Sequence, residues 1–233
     1  MKEKNIEELL AVENIDVSYG KLKVLFDVSV KINKGEIVVI VGRNGAGKTT
    51  LFRSIAGFLK VDNGSILYNK HDLTELKPFE VAQLGIRYVP QDKQVFSTLT
   101  VRENLELGAY LTKNNSWDFV YEYFPKLKLL LDRKAGNLSG GEKQMLLISM
   151  ALLGYPELIL MDEPTEGLAP HLVKELSYAF KKINEKATLF IIEQNLQLTV
   201  DVADRVYSMK EGKIVAEATI KDDIKDYVFE RYL

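Results

Sequence analysis

Residues 37–50 read IVVIVGRNGAGKTT, and this stretch decides the fold. Its first part shows no polar alternation, as expected of a parallel strand buried on both faces, so a strand is predicted over Glu36–Val41. Gly42, Arg43, Asn44, Gly45, Ala46, Gly47, Lys48 and Thr49 then match G-x-x-x-x-G-K-[ST], and a helix is expected near Thr49–Gly57. The residue types suit a phosphate cradle. Glycines let backbone N–H groups curl around phosphate oxygens, and the helix N-terminus adds partial positive charge at the same point. Lys48 is expected to reach the β- and γ-phosphates of a nucleotide and the Thr49 hydroxyl to hold Mg²⁺, with Thr50 completing the loop's nucleotide-binding set.

A phosphate loop also needs a carboxylate for Mg²⁺ and a group that activates water. LILMDEP, at 158–164, offers both at the C-terminal end of an apolar strand, where α/β sheets bind ligands. Asp162 is expected to hold Mg²⁺ through water and Glu163 to accept a proton from the attacking water. Asn69-Lys70-His71-Asp72 fits the NKxD pattern that reads guanine. It precedes the second acidic motif rather than following it, so a hairpin turn is the expected reading.

The remaining sequence supports one α/β unit. Leu10–Val17 and Val24–Ile32 alternate apolar and polar residues, as antiparallel strands with one wet face do, and Tyr19-Gly20 punctuates them. Short strands are expected at Gly64–Tyr68 and Ile86–Val89, and a helix capped by Thr100 with Glu103 three residues on at Thr100–Leu111. No strand signal appears from Thr100 to Leu153, which predicts an inserted helical subdomain. Leu158–Met161 and Thr188–Ile192 flank the amphipathic helix Pro170–Lys186 in a βαβ crossover. A hairpin turning at Glu211-Gly212 and a final helix to Leu233 complete the reading. The fold class is therefore α/β, a P-loop NTPase (RecA-like) core with an N-terminal antiparallel β subdomain and an inserted helical subdomain. The expected boundaries are a single domain over 7–233, with the core at 7–91 and 155–233 and the helical subdomain at about 92–154.

Composition narrows the chemistry. The 233 residues carry 46% hydrophobic and 27% charged side chains, enough to bury a core. Lys plus Arg number 31 against 33 Asp plus Glu, which leaves no bulk positive field for a nucleic acid backbone. With no Cys and only His71 and His171, thiol nucleophiles, disulfides and Cys/His zinc sites are excluded, so any metal is held by oxygen. The longest apolar stretch, near Met145–Leu153, is half of the roughly 18 residues a membrane span needs, and the start MKEKNIEELL is too polar for a secretion signal. A cytoplasmic protein that does not itself cross a membrane is expected.

Leu138–Gln144 reads LSGGEKQ before the apolar run Met145–Leu153, which makes Ser139 an N-cap and leaves Gly140 and Gly141 as backbone donors at a positive helix end, with Glu142 beside them. The first loop can surround one nucleotide's phosphates, so a second cradle suits the γ-phosphate bound by another subunit. With LILMDEP, this order resembles the ATP-binding cassette (ABC) family, LSGGE being its most diagnostic string, and the resemblance covers essentially the whole chain. It implies hydrolysis of ATP with Mg²⁺ between two subunits, driving solute movement through separate membrane proteins. It further implies that Tyr19 in VSYG stacks on adenine, that Gln91 in YVPQD touches Mg²⁺ and the attacking water, and that TEGLAP at 165–170 contacts the partner subunit.

More narrowly, GLAP, IIEQN, the ending ERYL and Val95-Phe96 resemble the LivF-type ATPases of branched-chain amino acid importers, while PTEG and VPQ also resemble urea and amide importer ATPases. That resemblance implies a companion ABC ATPase (the dimer being homo- or heteromeric), two integral membrane permeases, an extracytoplasmic solute-binding protein reached through them, no nucleic acid partner, and a place on the inner face of the cell membrane. A lipid or lipopolysaccharide exporter and a soluble non-transport ABC ATPase are the alternatives. Most members carry His where this chain has Gln194, whose amide can contact a γ-phosphate but cannot titrate near neutral pH. In WDFVYEYF, 117–124, helical spacing would pack Trp117, Tyr121 and Phe124 in the helical subdomain's core, while the resemblance implies instead that some of Phe119, Tyr123 and Phe96 form an apolar groove for a membrane subunit's cytoplasmic helix.

Overall fold

The structure, a computed structural model, describes residues 7–110 and 117–219. Along the chain, β1 (Glu8–Tyr19) and β2 (Leu22–Asn33) precede β3 (Ile37–Val41), and α1 (Lys48–Ile55) follows the glycine loop. Next come β4 (Asn63–Tyr68), β5 (His71–Asp72), α2 (Pro78–Gln83), β6 (Ile86–Val89), α3 (Val101–Ala109) and α4 (Gly140–Leu152). Then follow β7 (Leu158–Asp162), α5 (Pro170–Asn184), β8 (Thr188–Ile192), α6 (Leu196–Val202), β9 (Arg205–Lys210) and β10 (Lys213–Thr219).

Two sheets result. An antiparallel sheet runs β2-β1-β4-β5, and a second runs β10-β9-β3-β8-β7-β6, in which β3 pairs in parallel with both β8 and β9. The continuous apolar strands are explained by the two cores they separate. Ile37, Val39 and Val41 pack with α3, α4 and α5 residues such as Leu105, Leu146 and Phe180, whereas Val38 and Ile40 pack with α1 and the antiparallel sheet. The crossover β7-α5-β8 joins adjacent parallel strands, as the sequence predicts. The YNKHD turn is a hairpin: Tyr68 pairs with His71, and Asn69 and Lys70 take φ of 47° and 67°.

Three expectations concern the helices. First, Ser139 caps α4 as expected, and its capping box with Glu142 starts the helix at Gly140. Second, 117–124 is not an α-helical face. It contains a 3₁₀ helix at Asp118–Glu122 and leads into another at Pro125–Leu129, and this tighter winding buries Val120, Tyr123, Phe124 and Leu127. Trp117 and Tyr121 are only half-buried, Tyr123 belongs to the core rather than to a groove, and Phe119 stacks on Tyr155 at 5.2 Å between centroids. Third, the final helix to Leu233 lies outside the described residues. Among those residues no helix is long and apolar enough to cross a membrane.

The turn of the β9-β10 hairpin locks the two sheets to the glycine loop. Gly212 N–H donates to Ala46 O at 2.9 Å, and Gly212 O accepts from Phe26 N–H of β2 at 2.9 Å. Gly212 has φ of 76°, and a Cβ there would lie 2.0 Å from Val24 O. Gly212→Ala should therefore destabilise the fold by about 2–4 kcal/mol, since left-handed strain and a backbone clash add. Urea denaturation checks this; a change below about 0.5 kcal/mol, the range of ordinary surface substitutions, would contradict the lock.

Candidate active site

The carboxyl ends of β3, β7 and β8 converge on one cluster, and each strand delivers a residue type that its own burial cannot satisfy. From β3 the chain enters the loop at Gly42, where a Cβ would lie 2.2 Å from Met209 O, and leaves it at Gly47, where a Cβ would lie 2.8 Å from Leu25. Only glycine allows the loop to pack this closely against β9 and β2. The loop encloses a cavity of about 180 Å³ lined by Val24 and residues 44–50.

Lys48 is 4% exposed. Its Nζ donates to Gly42 O at 2.7 Å and Arg43 O at 3.2 Å, and it pairs with Glu163 Oε1 at 3.7 Å. Burial pulls its pKa below the ordinary lysine value, while the charges of Glu163 and Asp162 push it back up. The ammonium therefore sits among acceptors at the mouth of a phosphate-sized cavity.

Asp162, at the end of β7, is buried. Tyr88 donates to its Oδ2 at 3.2 Å, and its Oδ1 has no hydrogen-bond partner. Burial raises its pKa, against hydrogen bonds from Thr49 and Tyr88 that lower it. An unpartnered anionic oxygen beside a hydroxyl is a donor set that fits a hard divalent cation. Glu163 turns away from the strand with φ of 47°, its N–H donating to Ile192 O at 3.0 Å. That strained backbone conformation aims the carboxylate at Lys48.

Two amides reach the same carboxylate. Gln194 Nε2 donates to Glu163 Oε1 at 2.6 Å and to Asn44 Oδ1 at 2.8 Å, which bridges the end of β8 to the glycine loop. Gln91 Nε2, just beyond β6, lies 3.4 Å from Glu163 Oε2 and 2.9 Å from Glu166 Oε2. Lys48, Gln91, Glu163 and Gln194 are thus brought together, with Thr49 and Asp162 alongside.

The second cradle is elsewhere. No hydrogen bond or ion pair among the described residues joins 139–142 to the glycine loop. Glu142 Oε2 accepts from Ser139 N–H at 2.9 Å while Lys126 holds Oε1 at 2.9 Å, and these contacts pull the Glu142 pKa down to about 2. A Cβ on Gly140 would meet open space, whereas one on Gly141 would lie 2.5 Å from Leu172 of α5. Tyr19 lies exposed at the end of β1, opposite Leu22, on the hairpin that also supplies Val24 to the loop cavity.

Sequence reasoning missed Tyr88, Asn44 as the partner of Gln194, and Glu193, a carboxylate buried beside the site. Glu193 directly follows a strand buried throughout, but no pattern of residue types marks the turns it holds. Without nucleotide, Asp162→Asn should raise stability at neutral pH by about 1–2 kcal/mol, since it removes a buried carboxylate lacking a cation of its own. Thermal melting checks this; a loss of stability would mean that the carboxylate is compensated within the chain.

Comparisons with known proteins place the chain in a family. The ABC transporter family model matches residues 25–166. The chain is 40% identical over 216 residues to the high-affinity branched-chain amino acid transport ATP-binding protein BraG of Pseudomonas aeruginosa, covering 91% of this chain and 93% of that one. It is 35% identical to the probable branched-chain amino acid transport ATP-binding protein LivF of Archaeoglobus fulgidus, covering 96% and 97%. A crystal structure of a nucleotide-free ATP-binding cassette from an ABC transporter superposes with a TM-score of 0.86 at 34% identity, over 97% of this chain and 99% of that one. The family model, the relatives and the superposed cassette each match more than half of the chain, and the chain belongs to the ABC transporter family as an ATP-hydrolysing, nucleotide-binding subunit.

Proposed function

We propose that this chain is the ATPase of a branched-chain amino acid importer, with Glu163 as the group that takes the proton of the attacking water. The observation that carries the mechanism is the Glu163 carboxylate held at once by Lys48, Gln91 and Gln194 at the mouth of the phosphate loop. The relatives named above support the solute class. Lys48 and the N–H groups of 42–50 bind the β- and γ-phosphates, Tyr19 stacks on adenine, and Gln194 contacts the γ-phosphate as a neutral donor. Thr49, Asp162 and Gln91 would hold Mg²⁺, which when bound neutralises charge on the phosphate oxygens. Ser139, Gly140, Gly141 and Glu142 present a second cradle to the nucleotide of a companion ABC ATPase, identical or not.

The chain forms a single domain, with its core at 7–91 and 155–233 and a helical subdomain at about 92–154. It works on the inner face of the cell membrane with two permeases and, through them, an extracytoplasmic binding protein; nucleic acid is not a partner. Because Tyr123 is a core residue and Phe119 stacks on Tyr155, we propose a permease surface away from that segment. A groove of about 400 Å³ lined by Arg53, Phe58, Pro78, Val81, Arg87 and Tyr88 suits an apolar helix, and its Tyr88 hydroxyl reaches Asp162.

The solute is tested by purifying the complex from native membranes, reconstituting it in vesicles and adding its binding protein. Leucine, isoleucine or valine should stimulate hydrolysis; stimulation by urea or an amide alone would replace the solute, and none by any of them would end the import reading. Glu163→Gln in that complex should lower turnover by about 10² or more, because base catalysis contributes about 10² to 10⁴. Turnover near wild type would remove Glu163 from the role. Gln194→His should keep much of the activity and introduce a pH step near the imidazole pKa of about 6.5. Identical pH–rate profiles for the two proteins would mean that residue 194 does not touch the reacting phosphate.

A further inference from the structure

Glu193 is the buried acid that the chemistry above leaves unused. It directly follows β8 and is 3% exposed, and its N–H donates to Ile40 O at 3.2 Å, beside the point where β3 enters the phosphate loop. No lysine or arginine pairs with it among the described residues. Instead its carboxylate accepts three hydrogen bonds from two turns. Oε2 accepts from the Thr165 hydroxyl at 2.8 Å, and Oε1 accepts from the backbone N–H groups of Gln194 at 2.9 Å and Asn195 at 3.1 Å. Burial raises its pKa, against the hydrogen bonds from Asn195, Thr165 and Gln194 that lower it.

Each oxygen serves a different turn. Thr165 opens the turn 165–170, closed by Leu168 N–H donating to Thr165 O at 3.1 Å with Gly167 at φ of 67°. Gln194 and Asn195 open α6, where Asn195 Oδ1 accepts from Leu198 N–H at 3.0 Å. A carboxylate is planar and its two oxygens move as one body, so a displacement of the 194–195 backbone is carried to Thr165 without an intervening flexible link. Thr165 is itself buried, which prevents water from taking over the contact.

We propose that Glu193 is a positioning residue that couples Gln194 to the turn 165–170, so that contact of the Gln194 amide with a γ-phosphate fixes the surface this chain offers to its companion subunit. The inference rests on the reading of Gln194 as the γ-phosphate contact and of 165–170 as the partner-facing turn. It gives Glu193 no proton to transfer. Its carboxylate acts by geometry alone.

Hydrogen exchange on the full chain tests the coupling, with Mg²⁺ and a non-hydrolysable ATP analogue as the probe and the peptide over the phosphate loop reporting that the analogue is bound. In wild type, the analogue should slow exchange at both 194–198 and 165–170, by about threefold or more as local opening is suppressed. In Thr165→Val, close in shape but lacking the hydroxyl, the slowing should persist at 194–198 and vanish at 165–170, and Thr165→Ser should restore it. Glu193→Ala should abolish the slowing at 165–170 in the same way. Slowing at 165–170 that survives Thr165→Val, or that Thr165→Ser fails to restore, would overturn the coupling while leaving Gln194 as the phosphate contact. If the analogue protects the phosphate loop of wild type and neither turn, the reading of Gln194 falls and the coupling falls with it.

Discussion

Lys48 is held almost wholly out of water, where an ammonium without partners would cost several kcal/mol, and the architecture follows from keeping it charged there. Two carbonyls of its own loop and the Glu163 carboxylate supply the field. Those acceptors must arrive from separate strands, which requires β3 and β7 to end side by side across β8. A parallel sheet buried on both faces provides that alignment, and it demands the unbroken apolar runs of these strands. The same burial makes the site ready for anionic oxygens. A phosphate entering the loop offers the ammonium stronger acceptors than carbonyls and meets N–H groups already oriented at the start of α1.

The elements legible in the sequence are those fixed by local chemistry. GRNGAGKT sets its own loop, Thr100 with Glu103 sets its own cap, and Asn69-Lys70 its own turn, each within a few residues. Of the four site residues that meet at the loop, Lys48 and Glu163 were legible from the glycine motif and the acidic strand end, whereas Gln91 and Gln194 were reached only through the family resemblance. What escaped depends on packing. In 117–124 the aromatic spacing suits an α-helix, but Pro125 cannot donate a backbone hydrogen bond and the segment tightens to 3₁₀, which changes the residues that face inward. Glu193 escaped because its partners lie 28 residues back in sequence and in the backbone of its own turn, and no pattern of residue types marks such contacts.

The glycine loop and the LSGGE helix start are each well built, and no hydrogen bond or ion pair among the described residues joins them. The loop is clamped between the antiparallel sheet and the β9-β10 hairpin, while the LSGGE start of α4 is fixed by its capping box, by Lys126 and by Leu172 of α5. Gly140 faces open space at an exposed helix start. On the proposed reading its side of the helix can approach another molecule's phosphate without rearrangement, and the nucleotide would be the joint between two subunits. A ligand shared in this way stabilises association by mass action, which would link the proposed chemistry at Glu163 to the assembly of the transporter.

Sedimentation of Glu163→Gln protein, alone and mixed with its companion ATPase, tests this account most directly. ATP with Mg²⁺ should convert monomer to dimer in one of the two preparations. Gly140→Asp, which fits the open space at the helix start but sets a carboxylate against the phosphate, should abolish the shift and leave the monomer's fold intact. Association that is the same with and without ATP, or that ignores Gly140→Asp, would contradict a nucleotide held between two subunits.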